Sequence, residues 1–224
     1  MQNKRYYDFD VDFEAILIEN AMLDECFRLK DLKNRKLYLN AGVDMCTVEE
    51  IVKHIIRYNI EDKGVPVEER KPIKLFITSP GGDVYAGFEL VDVIENSKTP
   101  VYTINLGYQF SMGFLLGLAG HRRYATKHAK FLWHDGTHGT INSTAKVRDE
   151  MEFQNRNEDR VRDYVLAHTK IDPDLYDSKL RVEWYMFAEE AKELGVTDYI
   201  IGVDCDMDEI ICGVIYGGKK ESYC

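Results

Sequence analysis

Two glycine-containing turns, each placed directly after an apolar run, constrain the fold of this chain most strongly. One is Ser79 to Gly87, which follows the apolar run Ile73 to Thr78; the other is Gly107 to Gly113, which follows Val101 to Leu106. Each turn also opens a stretch with the spacing of an amphipathic helix. Strands that alternate with helices in this way predict an α/β protein with a parallel sheet and crossover helices.

The same alternation continues along the chain. Further strands are predicted at residues 36–40, 122–125, 129–134, 184–186 and 199–203. Helices are predicted at residues 12–32, 84–96, 111–119, 143–167 and 188–194, and another begins at Thr47, where Glu50 would complete a capping box. The charged stretch 61–71 is predicted to be a surface loop. The run 210–216 is apolar enough to form a further strand.

Composition narrows the class of protein. The 224 residues fit one domain, and the formal net charge of −10 argues against nucleic acid or anionic lipid as the main partner. Five cysteines without CxxC spacing favour free thiols over disulfides or a metal site. The longest apolar stretch, Met112 to Ala119, is too short to cross a bilayer, and Met1 to Phe13 lacks the apolar region of a secretory signal. We therefore expect a cytoplasmic protein.

The two turns have the composition of a hydrolytic site. Paired glycines at 81 and 82 leave backbone N–H groups unshielded, and Ser111 in the second turn can present its hydroxyl to a substrate lying across them. One turn would then supply the oxyanion donors and the other the nucleophile. Ser111 could instead cap the following helix, although Phe114 leaves no capping box to complete.

Four motifs in this order resemble the proteolytic subunits of Clp proteases, a family within the crotonase-like superfamily of ββα spirals. They are Ser-Pro-Gly-Gly at 79–82, Gly-x-x-x-Ser-Met-Gly at 107–113, the strand end at His134, and Ala-Glu-Glu-Ala-Lys-Glu-Leu-Gly at 188–195. The resemblance extends over about residues 36–203. It implies a spiral α/β fold and a serine endopeptidase that hydrolyses peptide bonds.

The resemblance assigns roles to individual residues. By position, the nucleophile falls on Ser111 and the general base on His134, and the backbone N–H groups of Gly82 and Met112 fall on the oxyanion donors. The segment Tyr108 to Phe110 departs from the family, which usually has small residues there.

The residues themselves also favour His134 as the base, because a serine alcohol needs a base to remove its proton. Among six histidines, His134 ends an apolar strand at the edge of the sheet, where ligands collect in such folds. His138 is the second candidate. For the remaining four a structural role suffices, and they are His54, His121, His128 and His168.

The third member of a triad should be a carboxylate that orients the imidazole. Counting back from the motif at 188–195, the resemblance places it on Glu183, where the family has an aspartate. Glutamate serves in some Ser-His-Asp/Glu hydrolases. Glu183 could be a partnered acid within an apolar run or a solvent-facing residue of an edge strand, and Asp177 and Asp135 are substitutes.

We also expect substrate to bind beside the paired glycines. Gly81, Asp83 and Val84 would bind an extended peptide by β-addition to an unpaired strand edge, with the loop 136–139 on the other side. The resemblance implies unfolded protein as substrate, delivered by a hexameric AAA+ Clp-type unfoldase that alone uses ATP, so no cofactor is expected in this chain.

The resemblance further implies an assembly. Residues 135–168 would form a handle through which two seven-membered rings stack. The single domain 1–224 would then include a divergent N-terminal segment and helix at 1–30 and a C-terminal extension at 204–224. Two other functions stay open: a catalytically weak or inactive scaffold subunit that co-assembles with partners, and an acyl-CoA-processing relative with the same spiral.

Overall fold

The computed structural model describes residues 23–137 and 139–211. In chain order the elements are α1 (Leu23–Lys33), β1 (Lys36–Leu39), α2 (Met45–Glu61), a 3₁₀ turn (Val67–Glu69), β2 (Ile73–Ser79), α3 (Val84–Glu95), β3 (Val101–Phe110), α4 (Met112–Leu118), β4 (Arg122–Thr126), β5 (Lys130–Trp133), α5 (Thr144–His168), α6 (Pro173–Lys179), β6 (Trp184–Phe187), α7 (Ala188–Glu193), β7 (Tyr199–Ile201) and α8 (Met207–Ile211). The predictions for residues 1–22 and 212–224 lie outside the described residues.

The strands form one seven-stranded sheet in the described part of the chain. Its order is β1-β2-β3-β4-β7, and β5 pairs with the far end of β3 and then with β6. All pairs are parallel except β5 with β6, which is antiparallel. The predicted α/β fold with a parallel sheet is confirmed, and β6 is the exception to it.

Apolar side chains on α2, α3 and α4 pack against one face of this sheet. Ile51 and Ile55 of α2, Leu90 of α3 and Phe114 of α4 are almost completely buried in the same core. This core fixes the carboxyl ends of β2 and β3 beside each other. No helix among the described residues is long and apolar enough to cross a membrane.

Strand β3 is longer than predicted. It continues past Gly107 to Phe110, because residues 108–110 pair with residues 130–132 of β5. The glycine therefore lies inside a strand, where the sequence suggested a turn. The change of direction is confined to Ser111, between β3 and α4.

Helix α2 begins earlier than predicted, and its cap is Asp44. The Asp44 carboxylate accepts the N–H of Thr47 at 2.8 Å, and the Thr47 hydroxyl accepts the N–H of Asp44 at 3.0 Å. This reciprocal pair is a capping box in which Thr47 is the fourth residue rather than the first. The prediction that Thr47 and Glu50 form the box is wrong.

The first two residues of the run 210–216, for which a strand was expected, are helical. Ile210 and Ile211 end the short helix α8, and Ile210 is buried against Phe76 and Ile104 on the second face of the sheet. The rest of the predicted strand, residues 212–216, lies outside the described residues.

A buried ion pair ties the end of α2 to the start of β1. Arg35 donates to both carboxylate oxygens of Asp62, at 2.6 and 2.7 Å, and the Thr99 hydroxyl donates to the same carboxylate at 2.8 Å. Burial acts to raise the pKa of Asp62, but the hydrogen bonds from Arg35 and Thr99 and the nearby guanidinium charges outweigh it, so the pKa lies below its usual value. The folded chain therefore holds Asp62 ionised.

We expect Asp62→Asn to destabilise the protein by about 3 kcal/mol at pH 7, because it leaves the buried Arg35 without its nearest counter-charge. Urea unfolding measures the change as a shift in the midpoint. Since folding lowers the pKa, the stabilisation is present above the unfolded pKa of about 4 and is lost as the pH falls through the folded value. The difference between wild type and variant should shrink accordingly in acid.

The matched control is Glu49→Gln, which removes an exposed partner of Lys53 on the same helix. Such a fully exposed pair contributes little to stability. An Asp62→Asn variant no less stable than this control would show that the Arg35 contact does not stabilise the fold.

Candidate active site

Ser111 occupies a strained turn between a strand and a helix. Its φ of 53° and ψ of −122° lie in a region that residues with a side chain rarely adopt. The predicted alternative, a helix cap, is not formed, because the hydroxyl makes no capping hydrogen bond. The Ser111 N–H donates to the carbonyl of Leu132 in β5 at 2.9 Å, which holds the turn in place. Backbone strain of this kind, about 1–3 kcal/mol, is concentrated at functional sites and leaves the hydroxyl available here.

Gly81 lies against this turn so closely that it has no room for a side chain. A Cβ atom at Gly81 would lie 2.7 Å from the Cβ of Ser111 and 2.9 Å from the backbone nitrogen of Met112. Its φ of 93° also favours glycine. The two turns that the sequence singled out are therefore in direct contact.

A short parallel bridge to Val43 orients the neighbouring Gly82. Val43 donates its N–H to the carbonyl of Gly81 at 2.9 Å and accepts the N–H of Asp83 at 2.8 Å. These two bonds use the residues on either side of Gly82, so its own N–H and C=O point away from Val43. Met112 is the first residue of α4, and its N–H has no acceptor within the helix. These two N–H groups are the candidates to hold an oxyanion.

The predicted unpaired strand edge beside the glycines is wrong. The Asp83 N–H is already bound to Val43, and the Asp83 carboxylate caps α3 by accepting the N–H of Tyr85 at 2.8 Å. Because α3 begins at Val84, the residues after Asp83 are helical and cannot extend a sheet. Whether Gly81, Asp83 and Val84 contact a peptide stays a prediction.

His134 and Glu183 are brought together by the antiparallel pairing of β5 and β6. Trp133 is opposite Trp184, so the residue after β5 faces the residue before β6. The Nδ1 of His134 lies 3.0 Å from Oε1 of Glu183. Because an ionised carboxylate only accepts, this contact favours the tautomer of the neutral imidazole in which Nδ1 donates and Nε2 is an acceptor. Glu183 is therefore a partnered acid although its side chain is 56% exposed, which combines the two alternatives that the sequence left open.

Asp177 and two of the other histidines bind partners away from the His134–Glu183 pair. Asp177 binds Arg162 through two hydrogen bonds of 2.8 and 2.9 Å, and the hydrogen bond from that guanidinium lowers the pKa of Asp177. His121 accepts the N–H of Val101, and the Nε2 of His168 lies 2.8 Å from a carboxylate oxygen of Glu95. His138 lies outside the described residues.

A cavity of about 400 Å³ borders both Ser111 and His134. It lies between the start of α3, the Ser111 turn, the segment after β5 and the inner face of α5. Its apolar walls are Met112, Leu115, Trp133, Val161, Tyr176 and Leu180. Within residues 23–137 and 139–211 we find no cluster of three or more His, Cys, Asp or Glu side chains that could hold a metal ion. The apolar walls, with Ser111 at their border, suit the cavity to an organic substrate that extends from the serine hydroxyl.

Helix α6, which carries Tyr176 into this cavity, is missing from the predicted elements. Asp172 caps it by accepting the N–H of Asp174 at 2.9 Å, and Pro173 is its first residue. An aspartate followed directly by proline is a signal for a helix start, so this element was detectable in the sequence.

A family model for Clp proteases matches residues 23–204. The chain belongs to the Clp protease family. The matched segment includes Gly82, Ser111, His134 and Glu183.

Curated Clp protease relatives cover most of the chain. It is 26% identical over 186 residues to "ATP-dependent Clp protease proteolytic subunit 2" of Treponema pallidum. The aligned region covers 82% of this chain and 90% of that protein. It is 28% identical to "ATP-dependent Clp protease proteolytic subunit" of Deinococcus radiodurans, over 76% of this chain and 81% of that protein. It is 29% identical to "ATP-dependent Clp protease proteolytic subunit 3" of Streptomyces coelicolor, over 76% of each chain. The predicted family is confirmed.

Proposed function

We propose that this chain is the proteolytic subunit of an ATP-dependent Clp protease and acts as a serine endopeptidase. The names of its relatives support this function. The observation that carries it is the hydrogen bond between His134 and Glu183 at the border of a cavity that also exposes Ser111. An ordered acid–imidazole pair beside a strained serine is the arrangement that activates an alcohol for attack on a carbonyl.

In the proposed acylation step, the hydroxyl of Ser111 attacks the carbonyl carbon of the scissile peptide bond. Nε2 of His134 removes the hydroxyl proton, and the N–H groups of Gly82 and Met112 stabilise the negative charge that develops on the carbonyl oxygen. The imidazolium then gives its proton to the leaving amine as the C–N bond breaks. An acyl-enzyme on Ser111 results.

Hydrolysis of the acyl-enzyme reverses these roles. A water molecule attacks the ester carbon, His134 takes one of its protons, and the proton returns to the Ser111 oxygen as the product acid leaves. Glu183 stays ionised throughout and stabilises the imidazolium that forms in each step. This explains why the acid must contact Nδ1, the nitrogen that does not face the substrate.

Labelling with a fluorophosphonate, combined with cleavage of fluorogenic peptides, tests this function. We expect the purified chain to be labelled once and to cleave peptides. An inactive scaffold subunit would do neither. An acyl-CoA-processing enzyme would act on a thioester without labelling, so either result would overturn the proposed peptidase.

The proposed assembly is supported by the surface of α5. Met151 and Phe153 are 55% and 45% exposed, whereas Val165, near the other end of the helix, is buried. The base of the helix is anchored to the body, since the Tyr164 hydroxyl donates to the carbonyl of Leu115 at 3.1 Å. Large apolar side chains left exposed in this way, Met151 and Phe153, are the kind of surface that closed oligomers cover. We propose that it joins two stacked seven-membered rings.

Light scattering tests this assembly. We expect the purified chain to have the mass of fourteen subunits, and Phe153→Glu to reduce it to that of one ring, because a charge would then be buried between rings. Asn155→Ala, an exposed change on the same helix, should leave the mass unchanged. A wild-type mass of one or two subunits would contradict the chamber.

We further propose that unfolded chains reach this chamber through an AAA+ Clp-type unfoldase in the cytoplasm. The unfoldase alone would use ATP, so the peptidase would need no cofactor of its own.

A further inference from the structure

Glu158 lies in the middle of the α5 face that borders the substrate cavity. Gln154 and Arg162, one helical turn before and after it, line the same cavity. Its side chain is exposed rather than packed in the core. Nothing in the proposed peptidase mechanism uses this carboxylate.

The charged groups around the cavity are mostly acidic. Arg162 directs its Nε and one Nη to Asp177, at 2.8 and 2.9 Å, and is neutralised by that carboxylate. Asp135, Glu158 and Asp159 also line the cavity, and in the part of the chain that the structure describes none of the three forms an ion pair. The cavity therefore has a net negative charge.

Tyr176 lines the cavity and is almost completely buried. Burial raises the pKa of Tyr176 to about 12; Arg162 and Trp133 oppose this increase, and the carboxylates of Asp177 and Glu158 add to it.

We propose that Glu158 makes this cavity select lysine or arginine at the residue whose carbonyl Ser111 attacks, a specificity that rests on the proposed peptidase function. The apolar walls take the methylene stem of the substrate side chain. Its cationic end lies by Glu158, with Asp135 and Asp159 adding to the attraction. Opposite charges attract more strongly where water is partly excluded, and a substrate glutamate is repelled by the same groups.

Three fluorogenic peptides that differ only at this residue test the proposal: lysine, norleucine and glutamate. Norleucine has the stem of lysine without its charge, so the pair isolates the electrostatic contribution. We expect kcat/KM to fall in the order lysine, norleucine, glutamate, with a lysine-to-glutamate ratio of at least roughly tenfold at low salt. The ratio should shrink in 1 M salt, where the screening length is about 3 Å.

Variants of α5 then identify the group responsible. Glu158→Gln should lower the lysine-to-glutamate ratio by roughly three- to fivefold, and Glu158→Lys should reverse the preference. Glu152→Gln is the matched control, since Glu152 is exposed on the same helix and does not border the cavity. Labelling of Ser111 in each variant reports an intact site.

The outcomes separate the two proposals. Equal cleavage of the lysine and glutamate peptides by a labelled wild-type protein, or an unchanged ratio in Glu158→Gln, overturns the role of Glu158 alone. A wild-type protein that is neither labelled nor active overturns the peptidase function and the specificity with it.

Discussion

Replacing Ser111 with alanine is expected to abolish peptide cleavage and fluorophosphonate labelling without changing the oligomeric mass. Alanine keeps a Cβ atom in the same strained turn, so the backbone and the contact with Gly81 are preserved. Only the nucleophilic oxygen is lost. Because the members of a triad act as a unit, kcat should fall on the order of 10⁶-fold. Initial rates on a fluorogenic peptide measure the loss.

The control is Ser143→Ala. Ser143 precedes α5, is exposed, and makes no capping hydrogen bond with its side chain. This variant should retain the labelling and activity of the wild type. If Ser111→Ala is still labelled, the nucleophile lies elsewhere in the chain.

Glu183→Gln should reduce kcat by roughly 10⁴-fold while leaving the fold intact. Glutamine keeps the size of the side chain, but it cannot stabilise an imidazolium. Its amide can also donate to Nδ1 of His134, which would place the proton on Nε2, where the serine needs an acceptor. Since the Glu183 side chain is 56% exposed, the substitution leaves no buried polar group without water. Single-turnover rates on an activated ester and on a peptide measure the effect.

Glu193→Gln at the exposed end of α7 is the matched acid-to-amide control and should be neutral. Near-full peptidase activity in Glu183→Gln would show that the contact of 3.0 Å does not contribute to catalysis. The imidazole would then be oriented by another group.

The sequence predicts those elements whose signal is local. Strands β2 and β5 are mainly apolar runs, and both are found close to their predicted bounds. The errors arise where pairing or capping overrides a local signal. Gly107 looks like a turn, yet the hydrogen bonds to β5 hold it inside β3. Thr47 has the sequence pattern of a helix N-cap. The structure instead has Asp44 as the cap, and its carboxylate accepts the N–H of Thr47 in the first turn of α2.

The sequence predicts a candidate site as a set of residues but not as a surface. The order and spacing of the motifs single out Ser111, His134 and Glu183, and the structure places His134 beside Glu183 and next to the cavity that Ser111 borders. That Glu183 is exposed and still reaches His134 depends on the antiparallel register of β5 with β6, which the alternating strand–helix pattern does not reveal. The walls of the cavity come from α5 and α6, and long-range packing of this kind leaves no local pattern.

With Ser111 as the proposed nucleophile, its φ of 53° means that stability and activity favour different residues at this position. Glycine adopts this conformation without strain, whereas a residue with a Cβ atom is strained by about 1–3 kcal/mol there. Selection for stability alone would therefore favour Ser111→Gly, and selection for hydrolysis opposes it. In lineages that no longer need the enzyme, we expect this position to drift to glycine early, so a glycine here would be a genetic sign of lost activity.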